Sequence, residues 1–133
     1  MDRMLFVNLP VEDVQASRAF YTGLGFSVNE MFSDDRVACI VVSETIFVMA
    51  LEHERFADFV TTPIADARTS TQVLNALSCA SRAEVDDLAT RALANGGSEY
   101  RPSSDENGMY ARAVTDPDGH VWELVHMAMP AEA

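Results

Sequence analysis

The stretch TDPDGHVWEL, residues 115–124, decides how the rest of the chain is read. Asp116, Pro117, Asp118 and Gly119 have the composition of a tight turn, because proline fixes its own φ and glycine reaches positive φ without a steric cost. In the strand that follows, Val121, Glu123, Val125 and Met127 share one face, and Trp122, Leu124 and His126 share the other. A single carboxylate therefore stands in an otherwise apolar row. Glu123 either holds a metal or a substrate, or it remains from a site whose other members are gone.

Reading outward, HVWELVHM (120–127) is preceded by MYARAVT (109–115), an Asn107-Gly108 turn and SEYR (98–101), all strand-like or turn-like. Before them, Ser81 and Glu84 form a capping box ahead of Val85, Leu88, Ala89, Ala92 and Leu93 at helical spacing, and Asn95-Gly96-Gly97 ends that helix. TQVLNALSC (71–79) reads as a strand. The first half has the same order. MLFVNL (4–9) is a strand, and Asp13 caps a helix carrying Val14, Ser17, Phe20, Tyr21 and Leu24 on one side. FSVNEM (26–31), RVACIVV (36–42) and TIFVMAL (45–51) read as further strands. The sequence thus predicts two βαβββ modules, about 3–53 and 71–128, in one domain spanning 1–133. Residues 54–70 connect them, with ERFADF as a candidate short helix.

Composition narrows the partners. Hydrophobic residues make up 48% of the 133, which suits a packed domain. The formal net charge of −12 repels phosphate backbones and anionic lipid, so neither nucleic acid nor a membrane is expected as partner. No apolar run approaches the roughly 18 residues of a membrane span, and the first residues lack the pattern of a secretory signal. A cytoplasmic location is expected. Cys39 and Cys79 lie in apolar runs without CxxC spacing, as buried reduced thiols do.

The segments LPVEDVQASRAFYTGLGF, SRAEVDDLATRALANGG and DPDGHVWEL together resemble the vicinal oxygen chelate superfamily, which includes glyoxalase I, bleomycin-resistance proteins and extradiol dioxygenases. The resemblance covers essentially the whole chain and is nearest to the glyoxalase-like branch labelled predicted lactoylglutathione lyase. It implies an α+β fold, with curved mixed sheets around a cavity and helices on the outer faces. It also implies a homodimer. Enzymes of this superfamily usually hold a divalent metal on four strand positions, two per module. Carried onto this chain, these fall on Phe6, Met49, an unplaced residue within 71–79, and Glu123. Only Glu123 is a ligand type, and one carboxylate does not hold a divalent cation with useful affinity.

The expected cavity face therefore comprises Phe6, Asn8, Phe47, Met49, Val121, Glu123 and Val125, joined by Tyr110 and Arg112 if strand parity brings them there. Tyr110 or Arg112 would then partner Glu123; left unpaired, Glu123 could serve as a general base. His53, about 13 Å along the strand from Met49, His120 beside the turn and His126 on the opposite face are expected at the rim or surface. The reading is a glyoxalase-like protein that binds a small, partly apolar molecule without a metal cofactor. The alternative is a metal-dependent lyase, isomerase or dioxygenase that recruits Glu123, His53 or His126. A drug-sequestering protein is a further alternative, although Trp122 is expected to face the helix layer rather than a ligand.

Overall fold

The structure is a computed structural model describing residues 1–128. Module 1 runs β1 (Leu5–Val11), α1 (Val14–Gly23), β2 (Ser27–Val28), β3 (Val37–Val41) and β4 (Ile46–Glu52). A short helix, α2 (His53–Ala57), opens the connection. Module 2 runs β5 (Leu74–Ser78), α3 (Arg82–Ala94), β6 (Ser98–Glu106), β7 (Met109–Thr115) and β8 (Val121–Met127). Each module forms a four-stranded mixed sheet, ordered β1-β4-β3-β2 in sheet A and β5-β8-β7-β6 in sheet B. No helix among the described residues is long and apolar enough to cross a membrane.

The local signals act as their chemistry requires. Asp13 accepts from the backbone N–H groups of Gln15 and Ala16 at the start of α1. Ser81 Oγ accepts from Glu84 N–H, and the Glu84 carboxylate accepts from Ala80 N–H, closing the capping exchange one residue further out than the standard box. Asn107 and Gly108 have φ of 55° and 77°, as a tight hairpin turn between β6 and β7 demands. Two segments differ from expectation. FSVNEM keeps only Ser27–Val28 as strand, because the Asn29 side chain caps a 3-10 turn at Glu30–Phe32. SEYR extends to a nine-residue edge strand, whose register shifts on both sides of Arg101 let it accommodate Pro102.

Alternation in the strands gives each sheet one face toward the helices. Leu9, Val11, Ile40 and Val48 of sheet A, Phe20 and Tyr21 of α1, Val85, Ala89 and Ala92 of α3, and Val114, Trp122 and Leu124 of sheet B belong to one buried cluster. The helix-side faces of both modules thus share a single core in which α1 touches α3. The approach is close: a Cβ on Gly97 would lie 2.5 Å from Thr115 O and 2.8 Å from the Phe20 ring. The opposite faces, carrying Phe6 and Met49 in sheet A and Glu123 in sheet B, are left open. The expected enclosure of a cavity by the two sheets is therefore not formed within one chain.

A buried polar chain ties the modules together. Tyr21 Oη donates to Asp116 Oδ2 at 2.7 Å, and Trp122 Nε1 donates to Tyr21 Oη at 3.0 Å. Asp116 Oδ1 accepts from the backbone N–H groups of Asp118 and His120, which holds the turn. Asp118 reaches the other module, accepting from Glu12 N–H at 2.8 Å with Arg68 at 3.6 Å. His120, expected at the rim or surface, is half-buried and bonds through Nε2 to Pro10 O at 2.8 Å. The DPDG sequence is more than a turn: its carboxylates bind Glu12, between β1 and α1, and Tyr21 of α1 in module 1.

Burial lifts the Tyr21 hydroxyl well above its ordinary pKa, with Asp116 adding to the effect, so it stays a proton donor. Asp116 is also raised by burial, against the lowering influence of His120 and of the Tyr21 hydrogen bond. Asp116→Ala would leave the Tyr21 hydroxyl and two backbone N–H groups without an acceptor, at a cost of about 3 kcal/mol in denaturant melts. A carboxyl raised in the fold contributes stability that is whole below the ordinary Asp value of about 3.9 and is lost as pH rises through the raised value. Relative to the non-titrating Asp116→Asn, the wild type should gain stability as pH falls from about 7 to about 4.

Candidate functional site

The open face of sheet A is apolar and partly ordered by its own rings. Phe6 and Phe47 are register partners on adjacent strands and stack with centroids 4.8 Å apart at 12°. Asn8 is the partner of Met49 in the same ladder, and its Nδ2 donates to Phe6 O at 3.2 Å. Cys39, across from Met49 on β3, is buried, and burial raises its thiol pKa. Phe6 is 49% exposed, so the stacked pair forms a floor without a lid. At the far end of this face, α2 packs on β1 and β4.

On sheet B, the registers set Ala76, Glu123, Ala113 and Arg101 in one row across the four strands. Ala113 is small enough for the Arg101 side chain to pass over it, and Arg101 Nη2 donates to Glu123 Oε1 at 2.5 Å. The irregularities of β6 on either side of Arg101 hold this residue at that place in the row. Glu123 is therefore paired, but not with the expected partners. Tyr110 and Arg112 lie opposite His126 and Leu124, so they take the helix-side face. Tyr110 Oη donates to Asp86 Oδ1 on α3 at 2.5 Å, and Arg112 Nη1 lies 3.3 Å from the same oxygen. Neither lines the open face. The Tyr110 hydrogen bond is the main cause of the lowered Asp86 pKa.

The pseudo-symmetry of the modules places the position that the sequence left open. Phe6 pairs with Phe47, two residues before Met49, and the β5 residue that pairs with Val121, two residues before Glu123, is Leu74. Leu74 thus holds in module 2 the place that Phe6 holds in module 1, and the metal positions that the resemblance implies would be Phe6, Met49, Leu74 and Glu123, three of which carry no oxygen or nitrogen donor in the side chain. Asn75 points to the opposite face, as the partner of Trp122. Val121 and Val125 do share the face of Glu123, the first buried and the second half-buried. His126 Nδ1 is bound to Cys79 O at 3.1 Å, and His53 is the first residue of α2. Among the described residues, no three of His, Cys, Asp and Glu converge on a point that could hold a metal ion. Trp122 is buried against Tyr21, as its parity implied.

Comparison with known proteins agrees with the fold. Residues 3–43 match the family described as bleomycin resistance protein-like N-terminal. No curated protein matches the chain. A glyoxalase-related enzyme from Fulvimarina pelagi superposes with a TM-score of 0.80 at 22% identity, over 100% of this chain and 96% of that one. A glyoxalase/bleomycin resistance protein/dioxygenase family enzyme from Burkholderia phytofirmans PsJN gives 0.78 at 19% identity, over 96% and 100%. A lactoylglutathione lyase from Agrobacterium tumefaciens gives 0.69 at 18% identity, over 95% and 94%. The chain thus shares the fold of these structures, and its residues 3–43 match the bleomycin-resistance-like N-terminal family.

The Arg101–Glu123 pair is partly open to water, with side chains 38% and 20% exposed. Solvent screening limits its worth to about 1 kcal/mol or less. Melting curves of Glu123→Gln, Arg101→Gln and the double variant should give a coupling energy within that limit. A loss of about 3 kcal/mol or more, the mark of a charge stranded in the interior, would show that the pair is far better shielded than its exposure indicates.

Proposed function

We propose that the chain is a cytoplasmic, homodimeric small-molecule-binding protein of glyoxalase/bleomycin-resistance type that works without the superfamily's divalent metal. The observation that carries this reading is the replacement of three ligand positions by Phe6, Met49 and Leu74. A thioether and two hydrocarbon side chains cannot coordinate the hard cations that oxygen-rich sites select, and Glu123 is already neutralised by Arg101. What replaces the ligand set is a stacked aromatic floor on one sheet and a charge-compensated pair on the other. Such surfaces suit a partly apolar molecule with one polar end.

The open faces support the homodimer. Phe6 and Leu74 are 49% and 51% exposed, and Met109 and Met127, partners in the β7–β8 ladder, are 43% and 54% exposed. These side chains lie on the same faces as Met49 and Glu123, and exposed apolar area of this extent usually marks an interface. A second copy laid across them would set the Phe6–Phe47 floor of one chain against the Arg101–Glu123 pair of the other. The buried, unpaired thiols Cys39 and Cys79, the latter pushed up to about 11 by burial, fit a reducing compartment.

Protein purified without chelator should contain less than stoichiometric divalent metal, and its melting temperature should not change with added chelator. A bound ion that stabilises the fold by mass action would overturn the metal-free reading. Phe6→Asp should convert a dimer to a monomer in light scattering while leaving the chain folded. A wild type that is monomeric at micromolar concentration would remove the dimer from the proposal.

A further inference from the structure

Strands β1 and β5 are outer strands of their sheets, and both line a cleft at the joint between the modules. The connecting segment, through Phe56, Val60, Ile64 and Val73, lies over that joint and leaves a cleft of about 370 Å³ with Asn8, Asn75 and Val121 in its walls. Its lining includes no Asp, Glu, Lys or Arg, although 23% of the chain is charged. His120, which also borders the cleft, has its Nε2 bound to Pro10 O. The remaining polar groups are carboxamides and hydroxyls, chiefly Asn8, Asn75, Gln72 and Thr71. A volume of this size corresponds to about a dozen water molecules, enough for a ligand of roughly ten to fifteen non-hydrogen atoms.

We propose that this inter-module cleft is a binding site for a neutral, largely apolar molecule, a ring system with one hydrogen-bonding group, and that it is distinct from the Phe6–Phe47 floor and the Arg101–Glu123 pair, neither of which lines it. The absence of any Asp, Glu, Lys or Arg side chain from the lining sets the charge preference. An ion entering the cleft would lose hydration and meet no counter-charge. A neutral ring loses only the contact with water that it is better without, and its hydroxyl or carbonyl finds the Asn75 carboxamide, which can donate and accept. The apolar walls come from both modules and from the connection, so occupancy also braces the joint.

The test uses 2-naphthol and 2-naphthoate, which share a ring system and differ in charge at neutral pH. Titration of the full chain, followed by amide NMR shifts, should show saturable binding of 2-naphthol, with the largest changes at Asn8, Asn75 and Gly119. 2-Naphthoate should bind at least about tenfold more weakly. Ala65→Phe, which fills the cleft, and Asn75→Asp, which introduces a charge, should each abolish 2-naphthol binding, so either variant suffices if the other does not fold. Equal affinity for the two probes, no saturation, or unaltered binding in a folded variant would overturn the proposal. So would shifts centred on Phe6, Phe47 and Met49, since these would assign the probe to the open face and leave the cleft empty.

Discussion

The arrangement of the molecule depends on the buried chain from Trp122 through Tyr21 to Asp116. Polar atoms taken out of water must find partners, and these three find them only when α1 of the first module sits against β8 and the DPDG turn of the second. The constraint is directional, unlike the apolar contacts around it. Phe20, Val85, Ala89 and Leu124 would bury area in many relative orientations of the modules; the hydrogen bonds of Asp116 and the Asp118 bond to Glu12 N–H select one. Gly97 permits the closeness that this orientation needs.

The cost of that selection is the open condition of the other two faces. Because the helix-side faces meet in a shared core, the stacked Phe6–Phe47 floor and the Arg101–Glu123 pair cannot close on each other within one chain. The proposed site is consequently in halves, which the proposed second copy would join. The inter-module cleft is a different consequence of the same geometry. Two outer strands that do not pair with each other leave a gap at the joint, and the connecting segment roofs it with apolar side chains.

Much of this was legible in the sequence wherever a period or a cap carried the signal. The alternation of HVWELV fixed Glu123 on one face and Trp122 on the other, and both assignments hold. The caps at Asp13 and Ser81 and the Asn107-Gly108 turn also stand as read. The Glu123 partner was not legible. Arg101 lies in β6, where uninterrupted pairing from Glu99–Val114 would set Tyr100 opposite Ala113, and only the register shift before Arg101 brings Arg101 there instead. Tyr110 and Arg112 were ambiguous because MYARAVT offers alanine on the open face, which defines no side by hydropathy. The β5 ligand position needed the parallel β5–β8 register, which no local pattern in TQVLNALSC encodes. The openness of the sheets was hidden for a broader reason: alternation tells which face is buried, not which partner buries it.

The most direct test of the central claim, that the two half-sites meet between chains, is disulfide trapping. Chains carrying Met49→Cys and chains carrying Glu123→Cys, each with Cys39→Ala and Cys79→Ala, are mixed and oxidised under mild conditions. The account predicts a covalent heterodimer linking one chain of each kind, formed faster than disulfides within either pure sample. A disulfide within single chains that carry both cysteines, with no covalent dimer from the mixture, would show that the faces close on themselves and contradict it.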